Sequence, residues 1–185
     1  MSPILGIYAS QISGHLFAPS GAYDSIATTT VGAGGASSIT FSSIPSTYTH
    51  LQLRGTVLGT NAFFRVRFNS DTGSNYAWHE IYGDGSSAVA GAGSSATFGV
   101  IEASSTGTAS RPGGLVCDIL DYASTNKNKT MRTLCGYDDN GSGRIHLVSS
   151  LWNNSSTAIN SIQLVISAGT VDQYSSFALY GIKGN

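Results

Sequence analysis

Phe64-Arg65-Val66-Arg67-Phe68 is the stretch that decides the fold. Apolar and cationic side chains alternate strictly, so an extended chain here has one apolar face and one charged face. The same period of two runs through His50-Leu51-Gln52-Leu53-Arg54, Ile162-Gln163-Leu164-Val165-Ile166 and Phe177-Ala178-Leu179-Tyr180. Such strands bury one face and offer the other to solvent or to a partner. Outward from these anchors, candidate strands cover 23–31, 38–42, 49–58, 63–69, 76–83, 96–103, 114–123, 129–137, 144–152, 159–167 and 175–182. Turn residues punctuate them: Gly32-Ala33-Gly34-Gly35, Asp71-Thr72-Gly73, Gly83-Asp84-Gly85, Asn140-Gly141 and Asn153-Asn154. Pro45 ends the strand before it. About eleven short strands at this spacing predict an all-β protein, an antiparallel β-sandwich, with a jelly roll as the expected form.

The first residues differ. Ile4, Tyr8, Ile12 and Leu16 recur at helical spacing, but Gly6 and Gly14 weaken a helix. Residues 1–22 are therefore expected to be an N-terminal arm, and 23–185 the sandwich domain. Within the sandwich, 84–114 is rich in Gly, Ser and Ala with Glu102 its acid after Asp84. One strand between long loops is expected there. No fixed-period repeat is present, which argues against solenoids and propellers.

Composition limits function. The chain has 185 residues, nine Lys+Arg, ten Asp+Glu and a net charge of -1. With no basic surplus to neutralise phosphates, nucleic-acid binding is not expected. Charged residues are 10% of the chain, while Gly, Ser and Thr together exceed a third. The 41% of hydrophobic residues, with nine Tyr and seven Phe, still supply a core. Met1-Ser2-Pro3 offers no positive n-region, so no cleaved leader is expected. The uncharged span 145–171 is broken by Asn153 to Thr157, so no membrane insertion is expected. Three lysines, Lys127, Lys129 and Lys183, are few gatekeepers for so many strand edges. Edges covered by neighbouring copies follow as an expectation, with a homo-oligomer, a trimer, as the partner state.

Residues that carry chemistry are sparse. No Gly-x-Ser-x-Gly elbow occurs; Gly91-Ala92-Gly93-Ser94-Ser95 comes near and misses. Asp118 and Asp121 have odd spacing on one strand and face opposite ways; Glu80 and Asp84 are the other close acids. Neither pair is expected to be catalytic, and no enzyme activity, cofactor or metal is assigned. Asp138-Asp139-Asn140-Gly141-Ser142-Gly143 and Asn69-Ser70-Asp71-Thr72-Gly73 hold fragments of a calcium loop, against which Asx-type turns are the default. His15, His50, His79 and His146 are scattered. Cys117 and Cys135 are symmetric about Asn126 and are expected to be buried thiols, with a cross-strand bond as the alternative.

Tyr76-Ala77-Trp78-His79-Glu80-Ile81-Tyr82 is the richest aromatic run. Tyr76, Trp78, Glu80 and Tyr82 share one face, and Ala77, His79 and Ile81 the other. That aromatic face, with Trp152, suits a glycan, a subunit contact or the core itself. Tyr76, Trp78, Tyr82 and Trp152 are therefore the candidate surface-binding residues.

Five stretches carry a family resemblance. They are Pro19-Ser20-Gly21-Ala22-Tyr23-Asp24-Ser25-Ile26-Ala27 and Gly35-Ala36-Ser37-Ser38-Ile39-Thr40-Phe41-Ser42-Ser43-Ile44-Pro45, then Tyr48-Thr49-His50-Leu51-Gln52-Leu53-Arg54. Arg67-Phe68-Asn69-Ser70-Asp71-Thr72-Gly73-Ser74-Asn75-Tyr76 follows, and Tyr174-Ser175-Ser176-Phe177-Ala178-Leu179-Tyr180-Gly181-Ile182-Lys183-Gly184 closes the chain. From about residue 17 onward the chain resembles small virion proteins of tailed bacteriophages, of decoration, fibre or minor tail type. The resemblance implies a structural role in the virion, with capsid or tail proteins as partners. Ile4, Leu5, Ile7, Tyr8 and Ile12 would then dock the arm on the particle. Capsid decoration or a short head projection is the expected role. A tail module binding a host surface glycan is the alternative, and polysaccharide turnover dependent on Glu80 is the enzymatic one.

Overall fold

The computed structural model describes residues 21–59, 63–102 and 111–184. Ile4, Leu5, Ile7, Tyr8 and Ile12, and with them the arm, lie outside the described residues. Alternation decides the architecture: where it is strict, the chain is a strand. In order the strands are β1 (Tyr23–Thr30), β2 (Ser38–Phe41), β3 (His50–Val57), β4 (Phe64–Phe68), β5 (Tyr76–Gly83) and β6 (Ala88–Ala96). Then come β7 (Gly99–Val100), β8 (Gly113–Leu120), β9 (Lys129–Asp138), β10 (Gly143–Trp152), β11 (Ile162–Ile166) and β12 (Ser176–Ile182). No helix occurs among the described residues.

All pairings are antiparallel and fall into two sheets. The large sheet runs β1-β12-β3-β8-β9-β10-β5-β6, and the small one β2-β11-β4-β7. The fold is thus an all-β sandwich; its eight and four strands are a less specific result than the jelly roll expected from sequence. Leu51, Leu53, Leu115, Cys117, Ile119, Met131, Phe177 and Leu179 point inward from the large sheet, and Ile39, Phe41, Phe64, Val66, Phe68, Ile162 and Leu164 from the small one. Each of these is at most 4% exposed, so the alternating apolar positions are indeed one continuous core.

Serines fasten the seams. Ser150 Oγ accepts from Val100 N at 3.1 Å and donates to Val100 O at 3.0 Å, which ties the two-residue edge strand β7 to β10 of the opposite sheet. Ser175 Oγ makes the same double contact with Leu58 N and O. A hydroxyl that both donates and accepts can stand in for a missing ladder partner.

The stretch 84–114 departs from expectation. It contains the nine-residue strand β6 as well as β7, where sequence reading placed long loops around one strand at 96–103. The reason is steric. A Cβ on Gly93 would sit 2.6 Å from Trp78 Nε1, and one on Gly91 would sit 3.0 Å from Glu80 Oε1. Two inward positions of β6, Gly91 and Gly93, are glycine because the β5 side chains lie across them. Glycine dilution hides the hydrophobic alternation that identifies a strand. Gly93→Ala should therefore displace the indole and destabilise the fold by about 1–3 kcal/mol. Gly114→Ala meets nothing within 4 Å and should change stability by less than about 0.5 kcal/mol. Denaturant midpoints of the two variants check both values.

Candidate functional site

The aromatic candidates separate by depth. Tyr76 and Trp152 are each 1% exposed, so they are core residues and not a surface-binding pair. Trp152 packs on Phe68 (centroids 5.6 Å) and stacks on Tyr76 (6.5 Å). Its indole Nε1 donates to Asp71 Oδ2 at 2.7 Å, and Tyr76 Oη accepts from Phe68 N at 3.0 Å. Buried aromatics with polar tips need such partners. Lys129 is fully buried beside them, its Nζ donating to Asn154 O at 2.8 Å and lying 5.5 Å from the Trp152 ring. Trp78 is half-buried across the β6 glycines. Tyr82 is half-buried between the His146 ring, stacked at 4.9 Å, and the Arg144 guanidinium at 5.1 Å. Neither ring is a free platform for a sugar.

Both calcium-loop fragments are Asx-type turns. Asp71 Oδ1 accepts from Gly73 N at 2.8 Å, and its Oδ2 also accepts from Asn75 Nδ2 at 2.9 Å. Asp138 Oδ1 accepts from Asn140 N at 2.8 Å in the β9–β10 turn. Asp118 accepts from Gln52, and Asp121 pairs with Lys127 at 2.8 Å beyond the end of β8. Cys117 and Cys135 are free and buried. Cys117 is opposite Thr133 and Cys135 opposite Leu115, so the register sets them diagonally, two pairs off from facing. Burial pushes both thiols up to about 12.

One polar cluster lies between the sheets. Glu80 on β5 and His146 on β10 share the inward face, because His146 pairs with Tyr82 and Val148 with Glu80. Glu102 arrives from the small-sheet side, just after β7, where Ile101 N and Glu102 N both donate to Phe64 O. Cys135 Sγ donates to Glu102 O at 2.9 Å and holds that backbone. One ligand atom from each of Glu80, Glu102 and His146 lies within 4.8 Å of the others. His146 is 2% exposed, and neither ring nitrogen has a hydrogen-bond partner; Glu80 Oε2 is also buried and unpartnered. His146 Nδ1 and Glu80 Oε2 stand 3.5 Å apart. Burial lowers the His146 pKa against the opposing pull of Glu80 and so favours the neutral ring. Burial, with Glu80 beside it, pushes the Glu102 carboxyl up to about 7. Arg65 and Arg144 line the same cavity. Sequence reading had placed Glu80 on the aromatic face, but had left His146 among scattered histidines. Parity with the core residue Trp152, six positions on, was the available signal for an inward His146.

The outward face of the large sheet was missed altogether. Val116 pairs with Leu134, Leu134 with Leu147, Leu147 with Ile81, and Ile81 with Ala90. These register pairs form one apolar row across five strands. Leu134 is 52% exposed, Leu147 56%, Ile81 52% and Val116 40%. Ile145, beside the row, is 60% exposed. Toward β1 the face turns polar: Arg54 lies 5.2 Å from both the Tyr23 and Tyr180 rings, and Gln52 donates to Asp118 at 2.7 Å. Comparison of the chain with protein-family models and with curated proteins gives no match.

Asp71 provides a pH test of the site's framework. Burial works to raise its pKa, but the hydrogen bonds from Trp152, Asn75 and Gly73 together hold it below 3.8. A carboxylate depressed on folding contributes stability above its unfolded pKa and loses it as pH falls through the folded one. Asp71→Asn should cost about 1.5–3 kcal/mol at pH 7. That penalty should shrink as pH drops below 3.8. Urea unfolding at pH 7 and pH 3 measures the difference.

Proposed function

We propose that this chain is a non-enzymatic structural component of a tailed-phage virion, a sandwich module packed against neighbouring copies of itself on the particle. The observation that carries the reading is the apolar row Val116–Leu134–Leu147–Ile81 on the outward sheet face. A contiguous apolar strip on an otherwise polar face marks an interaction surface. Burial of that strip gains about 25 cal/mol per Å² of apolar area. A second copy is the occupant this surface suits. Nine Lys+Arg nearly balance ten Asp+Glu, so copies approach without strong mutual repulsion.

The free sheet edge adds support. β6 is nine residues long, has no charge and, among the described residues, pairs on one side only. Long uncharged edges template pairing with another chain. Together with the resemblance to small virion proteins, these features favour capsid decoration or a short head projection. The half-buried Trp78 and Tyr82 give the glycan-binding tail module less to stand on. The apolar N-terminal residues Ile4, Leu5, Ile7, Tyr8 and Ile12 would supply the contact to the underlying capsid or tail protein.

Purified protein at micromolar concentration should have the mass of an oligomer, three copies being the expected number, by light scattering. The double change Leu134→Asp with Leu147→Asp should yield a folded monomer with unchanged strand content by circular dichroism. A wild-type monomer would overturn the self-association. Counting copies in intact particles tests the location: many on the head supports decoration, and a few at the tail with host binding supports the tail module.

A further inference from the structure

The geometry points to a divalent transition-metal site formed by Glu80, Glu102 and His146, with zinc as the ion it suits. Start from the orphaned atoms. A buried imidazole with two unpartnered nitrogens and a buried, unpartnered carboxylate oxygen each carry an unrepaid desolvation cost if left so. At 3.5 Å the two form a long polar contact, well outside the usual range of a good hydrogen bond. That separation has another meaning. Ligand bonds of about 2.0–2.2 Å at tetrahedral angles place two donor atoms roughly 3.4 Å apart. The His146 Nδ1–Glu80 Oε2 spacing is therefore close to an edge of a zinc coordination tetrahedron. Glu102, within 4.8 Å of both, completes a third vertex by closing through at most about 1.4 Å.

The donor chemistry is consistent. One neutral imidazole and two carboxylates are ligand types that zinc accepts, and three protein ligands leave one position open. Burial already favours the deprotonated imidazole that a metal needs. Arg65 and Arg144 are the cations lining the cavity. Each guanidinium lies against a ring, Phe98 at 4.0 Å and Tyr82 at 5.1 Å, and both pull on the Glu102 carboxyl against the larger effect of its burial. The ion would bridge β5 and β10 of one sheet to the segment after β7 of the other. It would act as a structural staple across the seam, independent of self-association through the outward face.

Full-length protein freed of metal by a chelator is titrated with zinc ions by calorimetry. One ion should bind per chain, with a rise in melting temperature. Glu80→Gln and His146→Gln should each weaken binding about a hundredfold or more, since even outer-shell changes cost up to that. Glu102→Gln should weaken it in the same direction. Asp138→Asn, whose carboxylate caps the β9–β10 turn and is not among the three ligands, should leave it unchanged. Metal-free Glu80→Gln should melt no lower than wild type, because it keeps the side chain's shape and removes the charge from a buried, unpartnered oxygen, so lost binding cannot be ascribed to unfolding. Cobalt-loaded protein should show no thiolate charge-transfer band, which separates this site from the nearby Cys135 thiol. Absence of saturable binding, binding unchanged in Glu80→Gln, or a thiolate band would each overturn the assignment. A monomer that binds zinc, or an oligomer that does not, tells this failure apart from that of the virion role.

Discussion

The structure depends on one mismatch: a sheet of eight strands faces a sheet of four. Where the small sheet lies, large apolar side chains meet and exclude water, and the inward positions are Leu, Ile, Phe and Met. Four strands cannot cover the inward face of eight. The uncovered inward face must be filled in other ways, and β5 and β6 show how. Trp78 folds across Gly91 and Gly93, so one strand's side chains serve as the cover for its neighbour. Further along, apolar filling gives way to Glu80, Tyr82 and His146. A polar pocket at a seam is what remains when two sheets of unequal width are pressed together.

The loop from β4 to β5 does the complementary work. Asp71 gathers the Trp152 indole, the Asn75 amide and the Gly73 backbone on one carboxylate. Three donors on one anion fix the loop and the indole together, and the indole in turn sets the stack with Tyr76 and Phe68. A residue that in sequence resembles a metal ligand is thus committed to holding the core. Hydrogen bonds to a charged acceptor are among the stronger ones available, which suits a carboxylate placed at the rim of a core.

Most strands were legible because alternation is a local property. Phe64 to Phe68 and Ile162 to Ile166 betray their faces within five residues, and the sheet pairs them in register. β6 was not legible, because its inward side is defined by what β5 places over it. Glycine there records a contact and not a propensity. The site follows the same logic. Glu80 could be put on its face by counting from Tyr76, whereas His146 joins it only through the pairing of β10 with β5, and Glu102 only through sheet-to-sheet packing. The outward row was hidden by an assumption: once Tyr76 and Trp152 are core, parity turns Ile81 and Leu147 to the surface. Nothing local says which of two apolar faces is the inside.

The two cysteines have a practical meaning. Both side chains are enclosed, on the inward side of β8 and β9, and both resist ionisation at ordinary pH. Thiol reagents attack the thiolate, and only where they can reach it. Alkylation of this protein can proceed only through excursions that part the two sheets. The rate of labelling is then a clock for those excursions, and the molecule carries in its native sequence a reporter of how often its interior opens.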